Sequence, residues 1–271
     1  MGCVGAGCHP LIHIYILEIK EMSYTQTKLT WLGALLLGLT ACIGDEAGTV
    51  HYYRWGVVEE QPMRSIHMVD GQGNHLRISS ADFENQTEWK QGDCCAVEFK
   101  TNWVKTLVDG VYQADILRYD TISVWPVHNQ LTDTSAVLPN ERFVTPHFGR
   151  SCYMADRFFI EVQDVYHQAD QQDLFDLSYD SAQTAEVDSA GRHIYNLFLR
   201  VRSLPGTGDS TKWVQTNAFR IDDFLQTVRP TEEALGDSAV RFSVNYPTGL
   251  EADSIALVWG KSSVFTLRFS E

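Results

Sequence analysis

Between residues 50 and 130, apolar and polar residues alternate in short runs, as they do in antiparallel β-strands. Two of these runs flank Asp70-Gly71-Gln72-Gly73-Asn74, which predicts a hairpin because glycine takes positive φ easily. The strand candidates here are 50–58, 65–69, 75–79, 94–100, 111–119 and 121–127. About five strands in about 80 residues are typical of a small closed barrel. We therefore predict an OB-like five-stranded barrel over 50–130.

The second half of the chain repeats this alternation after a polar break. Residues 131–145 contain Thr, Asp, Ser and Pro with little apolar periodicity, which favours a linker. The strand candidates that follow are 158–162, 195–202, 240–244, 255–259 and 265–269. At least five such runs in about 125 residues predict an immunoglobulin-like β-sandwich over 146–271. The expected fold class is all-β.

The N-terminal region has the order of parts of a lipoprotein signal. Lys28 precedes an apolar run of about 11 residues, which is too short to span a membrane as a helix, and the run ends at Leu39-Thr40-Ala41-Cys42. These four residues look like a lipobox. We predict cleavage between Ala41 and Cys42, acylation of Cys42, and attachment to a membrane by its acyl chains.

The lipobox also sets the expected boundaries of the N-terminal segments. Met22 begins a signal peptide of ordinary length, so we expect residues 22–41 to be the signal peptide and residues 1–21 to be a mis-annotated start. Residues 42–49 would then form a linker behind the acylated cysteine. The acidic pair Asp45-Glu46 in this linker is either a surface-export signal or simply a solvated stretch.

Charge excludes one class of partner. The chain has a formal net charge of −14, and no Lys/Arg-rich run interrupts its acidic character. Proteins that bind nucleic acids gain affinity by neutralising phosphates with basic patches, so we expect no nucleic-acid partner.

Three of the six cysteines lie in the two predicted β-domains. Neighbouring Cys94 and Cys95 would point to opposite faces of a strand, so they cannot both reach one partner. We expect Cys94, Cys95 and Cys152 to be buried thiols. A Cys94–Cys152 or Cys95–Cys152 disulfide is the alternative in an oxidising compartment.

No motif in the chain predicts catalysis or a cofactor. Trp259-Gly260-Lys261-Ser262 ends like a phosphate-binding loop, but Ile255 stands where that motif needs its first glycine. The nucleophile-elbow pattern G-x-S-x-G is absent, and the histidines after Cys42 form neither H-x-x-x-H nor H-x-H. We therefore expect a protein that is not an enzyme and carries no cofactor.

Acidic residues crowd the stretch 164–188, which we expect to be a solvated loop. Oxygen-rich loops can bind Ca²⁺, although the spacing of an EF-hand is absent here. The weak calcium candidates are Asp170, Asp173 and Asp176, and otherwise no metal is expected.

Aromatic residues are dense in the first predicted domain, where OB-like barrels often bind their ligands. The candidates for a ligand-facing surface are Tyr52, Tyr53, Trp55, Trp89, Trp103 and Trp125. The negative charge favours a saccharide, peptide or protein ligand over a nucleic acid. The alternative is that these aromatics form the barrel core and the contact between domains.

The order of these parts resembles the NigD-like lipoproteins of Bacteroidetes. The resemblance covers Cys42–Glu271 and rests on the lipobox, the Tyr53-Arg54-Trp55 strand, the Asp-Gly-x-Gly hairpin and the C-terminal sandwich. It implies an outer-membrane lipoprotein, on the periplasmic side or at the cell surface, with no assigned biochemistry. We expect a non-catalytic binding protein of the envelope. The alternatives are a bacteriocin immunity protein and an envelope hydrolase whose site the sequence does not reveal.

Overall fold

The computed structural model describes residues 50–106, 110–252 and 256–269. The predicted cleavage and acylation site at Ala41 and Cys42 and the predicted segments before residue 50 lie outside these residues. The described chain contains fifteen strands and two short helices, which confirms the all-β prediction. Neither of those helices is long and apolar enough to cross a membrane.

The first five strands close into a barrel with the order β1-β2-β3-β5-β4. They are β1 (Val50–Glu59), β2 (Ser65–Val69), β3 (His75–Ser79), β4 (Cys94–Thr106) and β5 (Val111–Ile122). A short helix, α1 (Ala81–Glu84), follows β3. Strand β4 closes the barrel by pairing with β1 from Val50 to Val57, and β3 pairs with β5 in parallel. The OB-like prediction is therefore confirmed.

The hairpin between β2 and β3 forms where the sequence predicts it. The Oδ1 atom of Asp70 accepts hydrogen bonds from the backbone N–H groups of Gln72 (2.8 Å) and Asn74 (2.9 Å). Gly73 has φ +87°, which a residue with a side chain rarely adopts. The turn thus satisfies its backbone donors with one side chain.

The other ten strands form a second, continuous sheet with the order β14-β13-β11-β9-β6-β12-β8-β7, to which β10 and β15 add at β11 and β13. Its first five strands are β6 (Val124–His128), β7 (Thr145–Met154), β8 (Arg157–Ala169), β9 (Gln172–Ser178) and β10 (Glu186–Val187). The others are β11 (His193–Leu204), β12 (Thr207–Arg220), β13 (Ala239–Leu250), β14 (Leu257–Lys261) and β15 (Phe265–Arg268). Helix α2 (Asp222–Ala234) connects β12 to β13.

Strand β6 is the corner at which this sheet passes from one layer to the other. Its first half pairs in parallel with Ala218–Arg220 of β12, and its second half pairs with Leu177 and Ser178 of β9. The two layers face each other across a core in which the Phe158 and Phe242 rings lie 5.2 Å apart. The sheet therefore forms a sandwich, as predicted.

The position of β6 differs from the sequence prediction, in which 121–127 was the last barrel strand. The chain leaves the barrel at Ser123, and β6 belongs wholly to the sandwich. The reason is that β4 already closes the barrel against β1 and leaves no edge for another strand. The apolar side chains of β6 alone do not distinguish these two destinations.

The segment expected to be a linker, 131–145, packs against β11 over part of its length. The Arg142 N–H donates to the Val201 carbonyl (2.8 Å), and the Ser203 N–H donates to the Asn140 carbonyl (2.9 Å). Arg200, which has no exposed surface, donates to the Glu141 carboxylate beneath this segment. This polar segment therefore covers a buried ion pair.

An apolar contact joins the barrel to the sandwich. Trp55 of β1 stacks on Phe159 of β8, with ring centroids 6.0 Å apart and planes 14° from parallel. The other buried members of this cluster are Val57, Cys94, Ala96, Ile122, Met154 and Ala218. The two domains therefore share a small core of their own.

Candidate functional site

A cleft of about 1160 Å³ opens beside this contact. Its barrel wall comes from β1 and from the β2–β3 turn, whereas its sandwich wall comes from β7, α2 and β15. Each wall is thus carried by regular structure or a tight turn, and residues more than 200 positions apart in the chain, such as Tyr53 and Arg268, line the same space.

Two sheet edges lie along the cleft. Strand β7 is the last strand at one end of the sheet order, and β15 pairs only with β13 among the described strands. The β7–β8 register skips between His147 and Cys152, so Phe148–Ser151 have no partner residue in β8. Phe148 contacts Phe265 of β15 with ring centroids 5.9 Å apart, which brings the two edges together. The cleft therefore presents strand backbone as well as side chains.

Four arginines line the cleft, and two of them contact both an aromatic ring and a carboxylate. The Arg150 guanidinium lies 5.3 Å from the centre of the Trp55 ring, and it donates to Glu161 at 2.9 Å. Arg229 lies 4.6 Å from the centre of the Phe269 ring, and it donates to Glu233 at 2.6 Å. Stacking on a ring fixes a guanidinium while leaving its edge free to donate.

The other two arginines of the cleft, Arg54 and Arg268, have no carboxylate within 4 Å in the described part of the chain. Arg54 donates to the Tyr53 carbonyl (3.0 Å) and lies over the Tyr52 ring. In a protein of net charge −14, these two side chains are cations without a carboxylate counter-ion among the residues that the structure describes.

Two of the carboxylates in the cleft are already engaged locally. Asp70 caps the β2–β3 turn, and the hydrogen bond from the Asn74 side chain is the main reason that the pKa of Asp70 lies below its usual value. Asp156 accepts a hydrogen bond from the Tyr153 hydroxyl (2.9 Å), and burial followed by this contact raises the pKa of Tyr153. The third carboxylate, Asp222, lies in the first turn of α2. The arginine edges therefore remain the main charged donors that face the cleft.

A chain of titratable groups runs from the barrel to the cleft. His75 lines the cleft, and its Nδ1 lies 2.8 Å from Nε2 of His67. Nδ1 of His67 lies 2.8 Å from the Glu59 carboxylate, which also accepts from Arg77 at 2.5 Å. Glu59 is an acceptor only, so His67 donates from Nδ1, and the neutral ring then accepts from His75 at Nε2.

The thiol in the cleft is not an activated nucleophile. Burial raises the pKa of Cys152 to about 12, and a thiol with such a pKa holds almost no thiolate at neutral pH. Burial has the same effect on Cys94, whose pKa is about 12, and it raises the pKa of Cys95. All three are free thiols.

The structure does not gather the six aromatic candidates onto one face. Only Tyr53 and Trp55 line the cleft, and Trp55 is largely buried in the contact between the domains. The other four pack internally. Tyr52 and Trp103 pack around Phe99, Trp89 packs on Tyr119, and Trp125 packs on Phe175 while donating to Asn217 (3.0 Å).

Nor does the structure bring the calcium candidates together. The acidic stretch that begins at Asp164 is largely strand, since it contains the end of β8 and all of β9, with Asp170 exposed at the turn between them. Asp173 and Asp176 are three residues apart in β9 and therefore point to opposite faces. Asp176 accepts from the Thr132 hydroxyl at 2.6 Å. The expected solvated loop is thus mostly strand, and its two strands pair with different neighbours, β8 with β12 and β9 with β11.

The sequence prediction named none of the four arginines as a site residue. Arg54 belongs to the Tyr-Arg-Trp strand, whereas Arg150, Arg229 and Arg268 come from an edge strand, a helix and the last strand. No short motif links them. The only feature of the sequence that could have identified them is their positive charge, because basic residues are scarce in this acidic chain.

Comparisons with known proteins identify the fold. No family model and no curated protein sequence matches the chain. An uncharacterized protein from Parabacteroides merdae ATCC 43184 has a similar solved structure, with a TM-score of 0.67, 19% identity, and coverage of 81% of this chain and 100% of that one. A protein from Bacteroides fragilis NCTC 9343 named a "putative lipoprotein" has a TM-score of 0.51 at 9% identity, with coverage of 82% and 99%.

A third similar structure belongs to the family that the sequence resembles. It is a NigD-like immunity protein from Bacteroides caccae ATCC 43185, with a TM-score of 0.43 at 9% identity, covering 80% of this chain and 94% of that one. Likeness at these identities is likeness of fold. The chain therefore has a fold that is also found in the proteins from Parabacteroides merdae and Bacteroides fragilis. The solved structures that resemble it include a NigD-like immunity protein.

Proposed function

We propose that this protein is a non-catalytic, lipid-anchored binding protein of the cell envelope, and that its cleft holds an extended, acidic segment of a partner protein. The observation that carries this proposal is the cleft itself. It combines two strand edges with two arginines that have no carboxylate partner among the described residues, in a molecule that is otherwise strongly acidic.

The strand edges favour an extended polypeptide as the ligand. An extended segment can add to a free sheet edge through backbone hydrogen bonds, while its alternate side chains enter neighbouring pockets. Phe148–Ser151 have no partner in β8, and three of these four residues line the cleft. An unpaired edge is a liability unless it is covered, which also favours a bound strand here.

The arginines favour acidic side chains on that segment. Guanidinium groups donate paired hydrogen bonds to carboxylates, and such charge-assisted bonds are stronger than neutral ones. The rest of the surface repels an acidic partner, so the arginines of the cleft determine where it can dock.

The membrane anchor is the second part of the proposal. The lipobox that ends at Cys42 supports it, as does the name of the Bacteroides fragilis protein with the same fold. We place the protein on the outer membrane, either on its periplasmic side or at the cell surface. Cys42→Ala should move the protein from the membrane fraction to the soluble fraction, whereas Cys152→Ala should leave it in the membrane. Retention of the Cys42→Ala variant in membranes would contradict the anchor.

Binding in the cleft can be tested with a labelled peptide in which glutamate alternates with valine, and fluorescence anisotropy as the readout. Arg54→Gln combined with Arg268→Gln should weaken binding about a hundredfold or more, since hydrogen bonds to charged groups contribute roughly 1.5–3 kcal/mol each and about 1.4 kcal/mol corresponds to a factor of ten. The matched control is Arg118→Gln, which removes an exposed arginine of β5 outside the cleft. Equal affinity of the wild type for a peptide of alternating lysine and valine would contradict the proposal.

The natural partner can be sought by photo-crosslinking in intact envelopes. A photoreactive phenylalanine at Tyr53, which lines the cleft, should capture a partner. The same residue at Tyr166, which is exposed on β8 away from the cleft, is the control. Capture at both positions alike, or at neither, would count against the cleft as the binding site.

A further inference from the structure

Asp164 and His167 of β8 and Asp173 of β9 form a cluster beside the turn that connects these two strands, away from the cleft. We propose that these three side chains bind one divalent transition-metal ion of the zinc class. One ligand atom from each residue lies within 4.8 Å of the ligand atoms of the other two. Because β8 pairs with β12 and β9 pairs with β11, a bound ion would link two strands that are not hydrogen-bonded to each other.

The spacing of the two principal ligand atoms suits zinc. His167 Nδ1 and Asp173 Oδ2 are 3.4 Å apart. Two ligands at about 2.0–2.2 Å from a tetrahedral ion are about 3.3 Å from each other. An imidazole nitrogen with two carboxylates is a donor set for transition metals, whereas Ca²⁺ prefers six to eight oxygens.

The ring nitrogen that faces the site lacks a partner. His167 Nδ1 is buried and has no hydrogen-bond partner in the described structure, since its contact with Asp173 lacks hydrogen-bond geometry. The imidazole ring is stacked on Trp213, with centroids 5.2 Å apart and planes 16° from parallel. The nitrogen is therefore aimed and held, and a metal ion would satisfy it.

The local charge balance favours a cation. The side chains of Asp164 and Asp173 are only 6% and 4% exposed, and Arg142 at 3.0 Å from Asp164 is the only arginine or lysine paired with either carboxylate in the described chain. With a neutral His167, two buried negative charges face one positive charge. Buried charges without compensation are costly, so the cluster gains from one more positive charge.

The neighbouring donors position the carboxylates. Ser203 donates to Oδ1 of Asp173, and Arg142 donates to both oxygens of Asp164. The Gln171 amide donates to Asp173 Oδ1 at 2.7 Å and to Asp164 Oδ2 at 3.2 Å. Gln171 thus lies between the carboxylates, and an ion that uses Asp164 Oδ2 must displace the longer of these two bonds.

The test uses the full chain with Co²⁺ and Zn²⁺ as probes. Co²⁺ should bind with one-to-one stoichiometry and produce the visible absorption of a tetrahedral site, and it should quench the fluorescence that Trp213 contributes. Zn²⁺ should abolish the Co²⁺ spectrum and raise the melting temperature. Trp213→Phe should remove the quenching without removing the visible absorption, because the indole is only the platform for the ring.

Variants separate a metal site from a hydrogen-bonded network. His167→Gln and Asp173→Asn should each lower the affinity for Co²⁺ about tenfold or more. Asp170→Asn, which changes an exposed acid at the same turn, should leave the affinity unchanged. Gln171→Ala should raise it, because the competing amide is gone. The proposal would be overturned if the wild type bound neither Co²⁺ nor Zn²⁺ at millimolar concentration. It would also be overturned if folded His167→Gln and Asp173→Asn variants bound Co²⁺ with the affinity of the wild type.

Discussion

One arginine of the sandwich is buried in the structure, although the sequence pattern predicts that its side chain is exposed. In β11, Arg200 alternates with apolar residues, which predicts an outward side chain. The structure buries it completely, because the 131–145 segment folds over it and supplies the Glu141 carboxylate and two carbonyl groups, those of Asp133 and Ala136. Alternation predicted the strand correctly, but it cannot show which distant segment of the chain covers its outer face.

Removing one partner of this buried pair should be costly. Glu141→Ala leaves the Arg200 guanidinium buried without its carboxylate, so we expect the free energy of unfolding to fall by about 3–5 kcal/mol. Denaturant unfolding measures this loss. Glu233→Ala, which breaks the half-exposed Arg229 pair, should cost about 1 kcal/mol or less. Similar losses in the two variants would show that the buried pair contributes no more than an exposed one.

At the scale of elements, the β2–β3 hairpin was the most predictable part of the chain. Its turn residues determine their own geometry, so Asp70 and Gly73 identify it without reference to the rest of the molecule. The acidic stretch around the β8–β9 turn was not predictable in the same way. Its carboxylates suggest a loop by composition, yet they are satisfied by Arg142, Gln171 and Ser203, two of which lie outside this stretch. The position of β6 was missed for a similar reason, since its partners come later in the chain.

The burial of His67 within the barrel should make stability depend on pH. Burial lowers the pKa of His67 below 6.5, and this effect outweighs the opposing hydrogen bond to Glu59. The folded state therefore binds a proton less readily than the unfolded state. The contribution of the neutral His67 side chain to the free energy of unfolding is therefore complete above pH 6.5. It is lost as the pH falls from 6.5 through the lowered pKa.

This dependence can be measured by denaturant unfolding at a series of pH values between 7 and 5. His67→Gln should flatten the fall in the free energy of unfolding below pH 6.5, because the titrating group is gone. The matched control is His51→Gln, which removes an exposed histidine of the same barrel. An unchanged slope in a folded His67→Gln variant would show that other groups cause the pH dependence.

At the scale of the whole molecule, the barrel and the sandwich were predictable as folds, but the cleft between them was not. Each fold follows from local alternation and turns. The cleft depends on how two domains meet, and its walls combine β1 with β7, α2 and β15. The two domains contact each other through Trp55 and Phe159. No sequence pattern within either domain predicts that these two side chains pack together.

The shared apolar contact predicts that the two domains unfold together. Ile78→Ala in the barrel core and Leu197→Ala in the sandwich core should each lower the midpoint of one common transition, at a cost of about 2–5 kcal/mol. Far-ultraviolet circular dichroism and tryptophan fluorescence should report the same midpoint. Phe159→Ala, which removes the stacking partner of Trp55, should weaken this coupling. Two separate transitions in the wild type, with Ile78→Ala shifting only one of them, would contradict the prediction.

The corner strand β6 also bears on the order in which the chain can be completed. It is made early, directly after the barrel, yet its neighbours on both sides come from β9 and from the end of β12 at Arg220. During synthesis from the N-terminus, the barrel can close as soon as β5 has been made. Strand β6, by contrast, has no partner on either edge until β9 and β12 have been made. A fragment that starts after residue 130 would lack the strand that joins the two layers, so a stable sandwich fragment has to begin at Ser123.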